Sequence, residues 1–262
     1  MIRVASYNMR KGIGTDRRRR PERTLAVLNE LDADAVALQE ADRRFRARAS
    51  VLPLRLIEEE SDYKPVPLDT RAASLGWHGN ALLVRKSVEI GEHHLFHLPS
   101  LEPRGAVFAE LDVGGQKLRV VGMHLDLSGL WRRRQAHAIL GHLAERDGAL
   151  PTVLMGDLNE WSVHGGCLRE FCASHLIAPC GPSFHARRPI AELDRIMVTP
   201  DLAILASGTH VSPLSLRASD HLPIWADLRR SDQRQELPPR PEKPSVATRI
   251  RSQIDRRRGK TL

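Results

Sequence analysis

The chain has 262 residues, 41% hydrophobic and 27% charged, enough for one large domain or two small ones with a substantial core. No apolar run approaches the ~20 residues that a membrane-spanning helix needs. The three cysteines (Cys167, Cys172, Cys180) lack C-x-x-C spacing, which argues against a disulfide framework or a structural zinc site and for buried free thiols. The net charge of +8 is unevenly placed: from Arg229 onward there are 11 Lys/Arg against 4 Asp/Glu, whereas the first 228 residues hold 29 against 28.

In chain order, "IRVASYN" alternates apolar and polar residues and predicts a strand. "PERTLAVLNELD" predicts a helix with Pro21 at its first position and Leu25, Leu28 and Leu31 on one face. "ADAVALQE" and "NALLVR" read as short buried strands, and "AVFAELDVGGQKLRVVGMHLDL" as a hairpin turning at Gly114-Gly115. "LWRRRQAHAILGHLAER" predicts an amphipathic helix with Leu130, Ile139, Leu140 and Leu143 as inward candidates. The strand "PTVLMGD", a helix near "GGCLREFCAS" and the strands "ELDRIMVT" and "LPIWADL" follow.

Hairpins mixed with helices do not suit an all-parallel sheet. The expected architecture is α/β, two sheets face to face with helices outside. Residues 1–228 form the expected folded domain. Residues 229–262 form a basic tail, beginning "RRSDQRQELPPRPEKPS", too rich in Pro, Gln and charge to bury a core. Its continuation "VATRIRSQIDRRRGK" is either a solvated tail or a basic segment for nucleic acid or an anionic membrane. The N-terminus "MIRVASYNMRKG" has no apolar signal core, so a cytoplasmic location is expected. Nothing in the sequence calls for an obligate protein partner.

Several strand-like runs end in, or are preceded by, a polar group. Asn8 follows "VASY", Glu40 follows "AVALQ", His124 follows "VVGM", and Asp157 with Asn159 follow "VLMG". Asp194 precedes "RIMV", and Asp220-His221 precede "LPIW". Each alone reads as an ordinary turn residue. Together they point to one cleft, provided that the strands stack side by side.

"SYNMR", "LQE", "GNALLVR", "HLDL", "GDLNE", "LDRIMV" and "SDHLPIWADL", in that order, resemble the endonuclease/exonuclease/phosphatase superfamily over residues 2 to about 228. The resemblance implies a four-layer α/β sandwich of two mixed sheets (DNase I-like) and divalent-metal-dependent hydrolysis of a phosphate ester. It also implies roles. Glu40 is a ligand for Mg²⁺ (or Mn²⁺), a hard cation that favours oxygen donors, with Asn8 at the same metal or the phosphate. Asp157 takes the proton of the attacking water and Asn159 positions water or phosphate. His221 donates to a phosphate oxygen, Asp194 fixes its tautomer, and Asp220 is a second metal or water contact. His124 touches the scissile phosphate, and Asn80 is structural. Arg104 is either a phosphate contact or half of a surface ion pair.

Other features stay open. His93, His94 and His97 form a cluster in "GEHHLFHLP", where a strand pattern would put His93 and His97 on one face and His94 on the other, and Arg17 to Arg20 are either a solvated loop or a cleft border holding an anionic substrate. The near-neutral folded part and the 4% aromatic content favour a small phosphodiester, a lipid headgroup or a phosphomonoester over nucleic acid. The alternatives are a nuclease gripping DNA through the tail and, more remotely, a non-catalytic binding module on the same fold.

Overall fold

The computed structural model describes residues 1–42, 50–68, 74–146, 148–163, 165–231 and 234–237; most of the basic tail lies outside them. Among these residues twelve strands and five α-helices follow in chain order. They are β1 (Ile2–Asn8), α1 (Pro21–Leu31), β2 (Ala35–Gln39), α2 (Leu54–Glu60), β3 (Tyr63–Pro65), β4 (Ala81–Arg85), β5 (Glu89–His97), β6 (Gly105–Val113) and β7 (Gln116–His124). Then come α3 (Gly129–Ala144), β8 (Thr152–Asp157), α4 (Leu168–Phe171), β9 (Leu176–Ile177), β10 (Asp194–Val198), β11 (Leu202–Thr209), α5 (Ser215–Ala218) and β12 (Ile224–Arg230).

The strands form two six-stranded sheets, ordered β11-β12-β1-β2-β4-β3 and β5-β6-β7-β8-β10-β9. Each is mixed. One parallel pair, β1 with β2 or β7 with β8, is flanked by antiparallel neighbours. A parallel pair needs a crossover, and α1 and α3 supply them. The period-two alternation of the strands divides the core. Val4, Ala37, Val120, Val153, Met155 and Ile224 meet between the sheets, while Ala5, Tyr7, Val36 and Leu38 face α1 and α2, and Val121, Met123 and Leu154 face α3 and α4. This is the expected four-layer α/β sandwich.

Leu25, Leu28 and Leu31 are buried on α1, which begins at Pro21 and stops where Asp32 turns left-handed (φ +51°) and donates its N–H to Leu28 O. The β6–β7 hairpin turns at Gly114 and Gly115, with φ +59° and +85°, a conformation that glycine adopts without cost. On α3, Ile139 is buried but Leu130 is 49% exposed, a correction to the inward face expected. The residues that α3 buries are Arg132, Gln135, Ala136 and Ile139. Cys167 and Cys180 are buried free thiols, and Cys172 is half-buried. β12 runs to Arg230, and Gln235 donates its backbone N–H to Pro200 O, so the packed chain continues past residue 228. Among the described residues no helix is long and apolar enough to cross a membrane.

The topology sets the polar groups at one edge. Asn8 and Glu40 follow the carboxyl ends of β1 and β2, and His124 and Asp157 end β7 and β8. Antiparallel neighbours begin where these strands end. Asp194 of β10 sits opposite Asp157, and Ile224 of β12 opposite Ser6, which leaves His221 beside the end of β1. Asn80 fastens the two sheets there, donating from Nδ2 to Gly105 O at 3.0 Å.

Candidate active site

A cleft of about 580 Å³ opens at that edge, lined by Asn8, Lys11, Glu40, Asp42, His78, Gly79, Glu102, Pro103, Arg104, His124, Leu127, Asp157, Asn159 and His221. Seven of the nine site residues expected from the sequence line it. Asp194 stands behind His221. Asp220 does not line the cleft and pairs with Arg10 Nε at 3.1 Å.

Asp157 is the buried centre. Its Oδ2 accepts from Asn8 Nδ2 at 2.9 Å and lies 3.4 Å from His124 Nε2 and 3.8 Å from His221 Nε2. Its Oδ1 accepts the backbone N–H of Asn159 at 2.9 Å, the Asx turn that aims both side chains of "GDLN". Asn159 has φ +51° and donates from Nδ2 to Leu125 O at 2.9 Å, which fixes its carboxamide against the β7 end. Gly156 is required because a Cβ there would meet Met123 O at 1.9 Å. Lys11 (φ +55°), Glu40 (φ +56°) and His78 (φ +50°) are also left-handed, so backbone strain gathers around the cleft.

The two histidines are driven apart in charge. His221 Nδ1 is 2.8 Å from Asp194 Oδ2, which also accepts from Ser183 Oγ at 2.5 Å. Burial works against a charge on His221, but Asp194 and Asp157 outweigh it and raise its pKa to about 10, so it is an imidazolium at neutral pH. His124 goes the other way. Burial lowers its pKa to about 3, Arg104 assisting, despite the nearby Asp157. It is neutral and accepts from Arg104 Nη1, which lies 2.7 and 2.8 Å from the two ring nitrogens. Arg104 also pairs with Glu102 at 3.3 Å, and its buried Nε has no hydrogen-bond partner among the described residues.

The donor set suits a hard cation: the carboxylates of Glu40, Asp42 and Asp157 and the amides of Asn8 and Asn159 all line the cleft. The Lys11 ammonium already pairs with Glu40, a cation against the carboxylate expected to hold one. Ligand atoms of Asp157, Asp194 and His221 also lie within 4.8 Å of one another, close enough for a metal. Asp194 and His221 are already bonded to each other, and Asp157 stands 3.8 Å from His221 Nε2, so the trio is a hydrogen-bonded pair beside a third carboxylate rather than a free ligand set.

Sequence reasoning missed Lys11 and His78. Lys11 stands in "NMRKG", three residues past Asn8, and His78 two residues before Asn80, so only their closeness to named residues could have signalled them. It also missed Glu160, the last residue of "GDLNE". Glu160 Oε2 is buried against Arg132 Nη2 at 3.2 Å, and Arg132 Nη1 donates to Leu127 O at 2.6 Å, tying together the loops after β7 and β8.

The family model described as "Endonuclease/Exonuclease/phosphatase family" matches residues 5–221, and the chain belongs to that family, whose members hydrolyse phosphate esters. A curated relative, the uncharacterized protein YbhP of Escherichia coli K12, is 28% identical over 167 residues, 58% of this chain and 63% of its own length. The chain thus matches less than two thirds of that relative. Among solved structures, the Bacteroides thetaiotaomicron mannosyl-6-phosphatase superposes with a TM-score of 0.69 at 20% identity, over 87% of this chain and 100% of that one. TDP2 of D. rerio, complexed with a single-strand DNA product, gives 0.66 at 16% identity, over 87% and 98%. At such identities the likeness shows the fold.

Proposed function

We propose that this member of the endonuclease/exonuclease/phosphatase family is a Mg²⁺- or Mn²⁺-dependent phosphoesterase. The observation that supports it best is the convergence on Asp157: amide, neutral imidazole and imidazolium all lie within 4 Å of one buried carboxylate at the floor of the cleft. Glu40 and Asn8 would hold the cation, which supplies charge neutralisation and a more acidic water.

The chain's own groups do the rest. Asp157 keeps lone pairs free beside its bonds to Asn8 and Asn159 and takes the proton of the attacking water. The His221 imidazolium donates to a non-bridging phosphate oxygen, and Asp194 holds its charge and tautomer from behind. Neutral His124 cannot supply charge, so it orients Arg104, whose guanidinium lines the cleft where the phosphate would sit. Asn159 holds water or phosphate in line. Asp220, paired with Arg10, supports the loop that carries His221.

The test is a screen of the purified protein with Mg²⁺ and Mn²⁺ against bis-p-nitrophenyl phosphate, p-nitrophenyl phosphate, phospholipids, inositol phosphates and supercoiled DNA, with Asp157→Asn as control. Metal-dependent turnover of one class, lost in the control, is expected. A fully folded protein inert toward all of them with either metal would leave the binding-module alternative.

A further inference from the structure

The near-neutral charge of the first 228 residues conceals a polarised surface. Three segments at the cleft edge, residues 10–23, 185–188 and 215–221, the first running into α1 and the last containing α5, hold ten Lys/Arg against three Asp/Glu, while the rest of those 228 residues hold 19 against 25. The fold welds these segments into one ridge. Thr15 N–H donates to Arg217 O at 3.1 Å, Arg187 Nη2 to Thr15 O at 2.9 Å, and Ala186 N–H to Asp220 O at 2.7 Å. Arg17, Arg18, Arg20, Arg187, Arg188 and Arg217 are exposed along it, and it meets the cleft at Lys11 and His221.

The same edge is apolar where it is not basic. Of ten large hydrophobic side chains exposed among the described residues, Leu127 lines the cleft, Leu101 precedes the lining Glu102 and Pro103, Trp161 and Val163 follow the lining Asn159, and Ile190 lies in the 184–191 loop, each more than half exposed. Leu101 N–H donates to Asp126 Oδ2 at 3.3 Å, which joins two of these loops. Trp161 contacts Phe184 edge-on at 6.2 Å, and Phe184 packs on His221 at 4.9 Å. Ile190 shares the 184–191 loop with Arg187 and Arg188, so the basic and apolar zones are continuous.

From this we propose that the cleft edge is a membrane-docking face for an anionic lipid surface, and that the substrate is a phosphate ester carried by a lipid headgroup. The substrate clause rests on the phosphoesterase reading; the docking clause does not. An arginine ridge alone would fit nucleic acid equally well. Exposed leucine, valine and isoleucine decide for lipid, because aliphatic side chains gain nothing by stacking on bases but gain by entering the headgroup–acyl boundary. Tryptophan at such a rim is placed as at membrane–water interfaces.

The test is flotation of the full-length protein with vesicles of phosphatidylcholine alone or with added phosphatidylglycerol, in low and high salt. Binding is expected on the anionic vesicles, weakened by salt, with a blue shift of the Trp161 emission that Trp161→Phe removes. Arg18→Glu with Arg188→Glu should cut partitioning by about tenfold or more, and Leu101→Ser with Ile190→Ser should weaken it also at high salt. Turnover of soluble bis-p-nitrophenyl phosphate should stay unchanged in both double variants, which also reports that they fold. Absence of vesicle binding, or binding indifferent to both variants, overturns the docking face. So does a single-stranded oligonucleotide that binds the ridge and displaces the vesicles. Vesicle binding without turnover of any ester would instead sink the phosphoesterase reading and leave the docking face standing.

Discussion

His221 Nδ1 lies 2.8 Å from Asp194 Oδ2, and both groups are buried. The pair keeps a charged imidazole inside the protein, with its other nitrogen turned toward Asp157. Since burial opposes the charge and Asp194 restores it, His221 should lose its proton only near pH 10. Activity should therefore show an alkaline limb near that pH, and Asp194→Asn should shift the limb toward neutrality while retaining part of the turnover. The pH profile of kcat/KM checks this. An unmoved limb in Asp194→Asn would remove His221 from the proton-donating role. The sign for stability follows from linkage. A raised folded-state pKa stabilises fully below about 6.5, the unfolded value, and that contribution is lost as pH climbs toward 10.

His124 should act in the opposite sense. Its pKa, lowered by burial to about 3, means that the unfolded chain takes up a proton that the native state refuses. The stability this contributes is present above about pH 6.5 and is lost as pH falls toward 3. Urea midpoints measured across that window should fall with pH in the wild type and fall less steeply in His124→Gln.

Asp157→Asn should remove about 10² to 10⁴ of kcat, the range typical of a lost general base, and Glu40→Gln should lose turnover through weaker metal binding, with circular dichroism unchanged in both. In Asp157→Asn the new side-chain carbonyl still accepts from Asn8 Nδ2, so a drop in kcat accompanied by unfolding would contradict the assigned role.

Lys11 and a metal compete for one carboxylate, because the Lys11 ammonium pairs with Glu40. Lys11→Met should thus tighten Mn²⁺ binding, by about tenfold if the displaced pair is worth about 1.4 kcal/mol. Titration calorimetry on the wild type and the variant reads this directly. Weaker binding in Lys11→Met would show that the ammonium serves the site in another way.

Glu160 pairs with Arg132 at 3.2 Å in the protein interior and also accepts the Cys167 N–H at 3.3 Å. Glu160→Ala leaves a buried guanidinium without its counter-charge and should cost about 3–5 kcal/mol in urea unfolding. Glu160→Gln, which keeps hydrogen-bonding capacity, should cost less. Equal losses would mean that the charge of Glu160, which both variants remove, holds the two loops, and not its packing or hydrogen bonds.

The sequence by itself determined the elements whose patterns are strong. Pro21 with the Leu25, Leu28, Leu31 stripe specifies α1, and Gly114-Gly115 between apolar runs specifies the β6–β7 hairpin, because periodicity and turn chemistry are local. It did not disclose β5, whose face mixes Glu92, His93, His94 and His97, nor β11 in "LAILASGT", since edge strands carry polar residues that blur a period of two. The motif residues were legible too: seven of the nine expected site residues line one cleft, which a string of separate turn signals could not guarantee. What only tertiary structure decided is how charge and strain are arranged in space. Asp194 and Asp220 look alike in sequence, yet antiparallel pairing sets one behind His221 and the other against Arg10. The same assembly drives His221 and His124 to opposite protonation states, and gathers arginines from three distant segments into one ridge. A linear charge count averages over distance, whereas electrostatic energy falls with separation and depends on burial, so neither outcome can be read before the chain is folded.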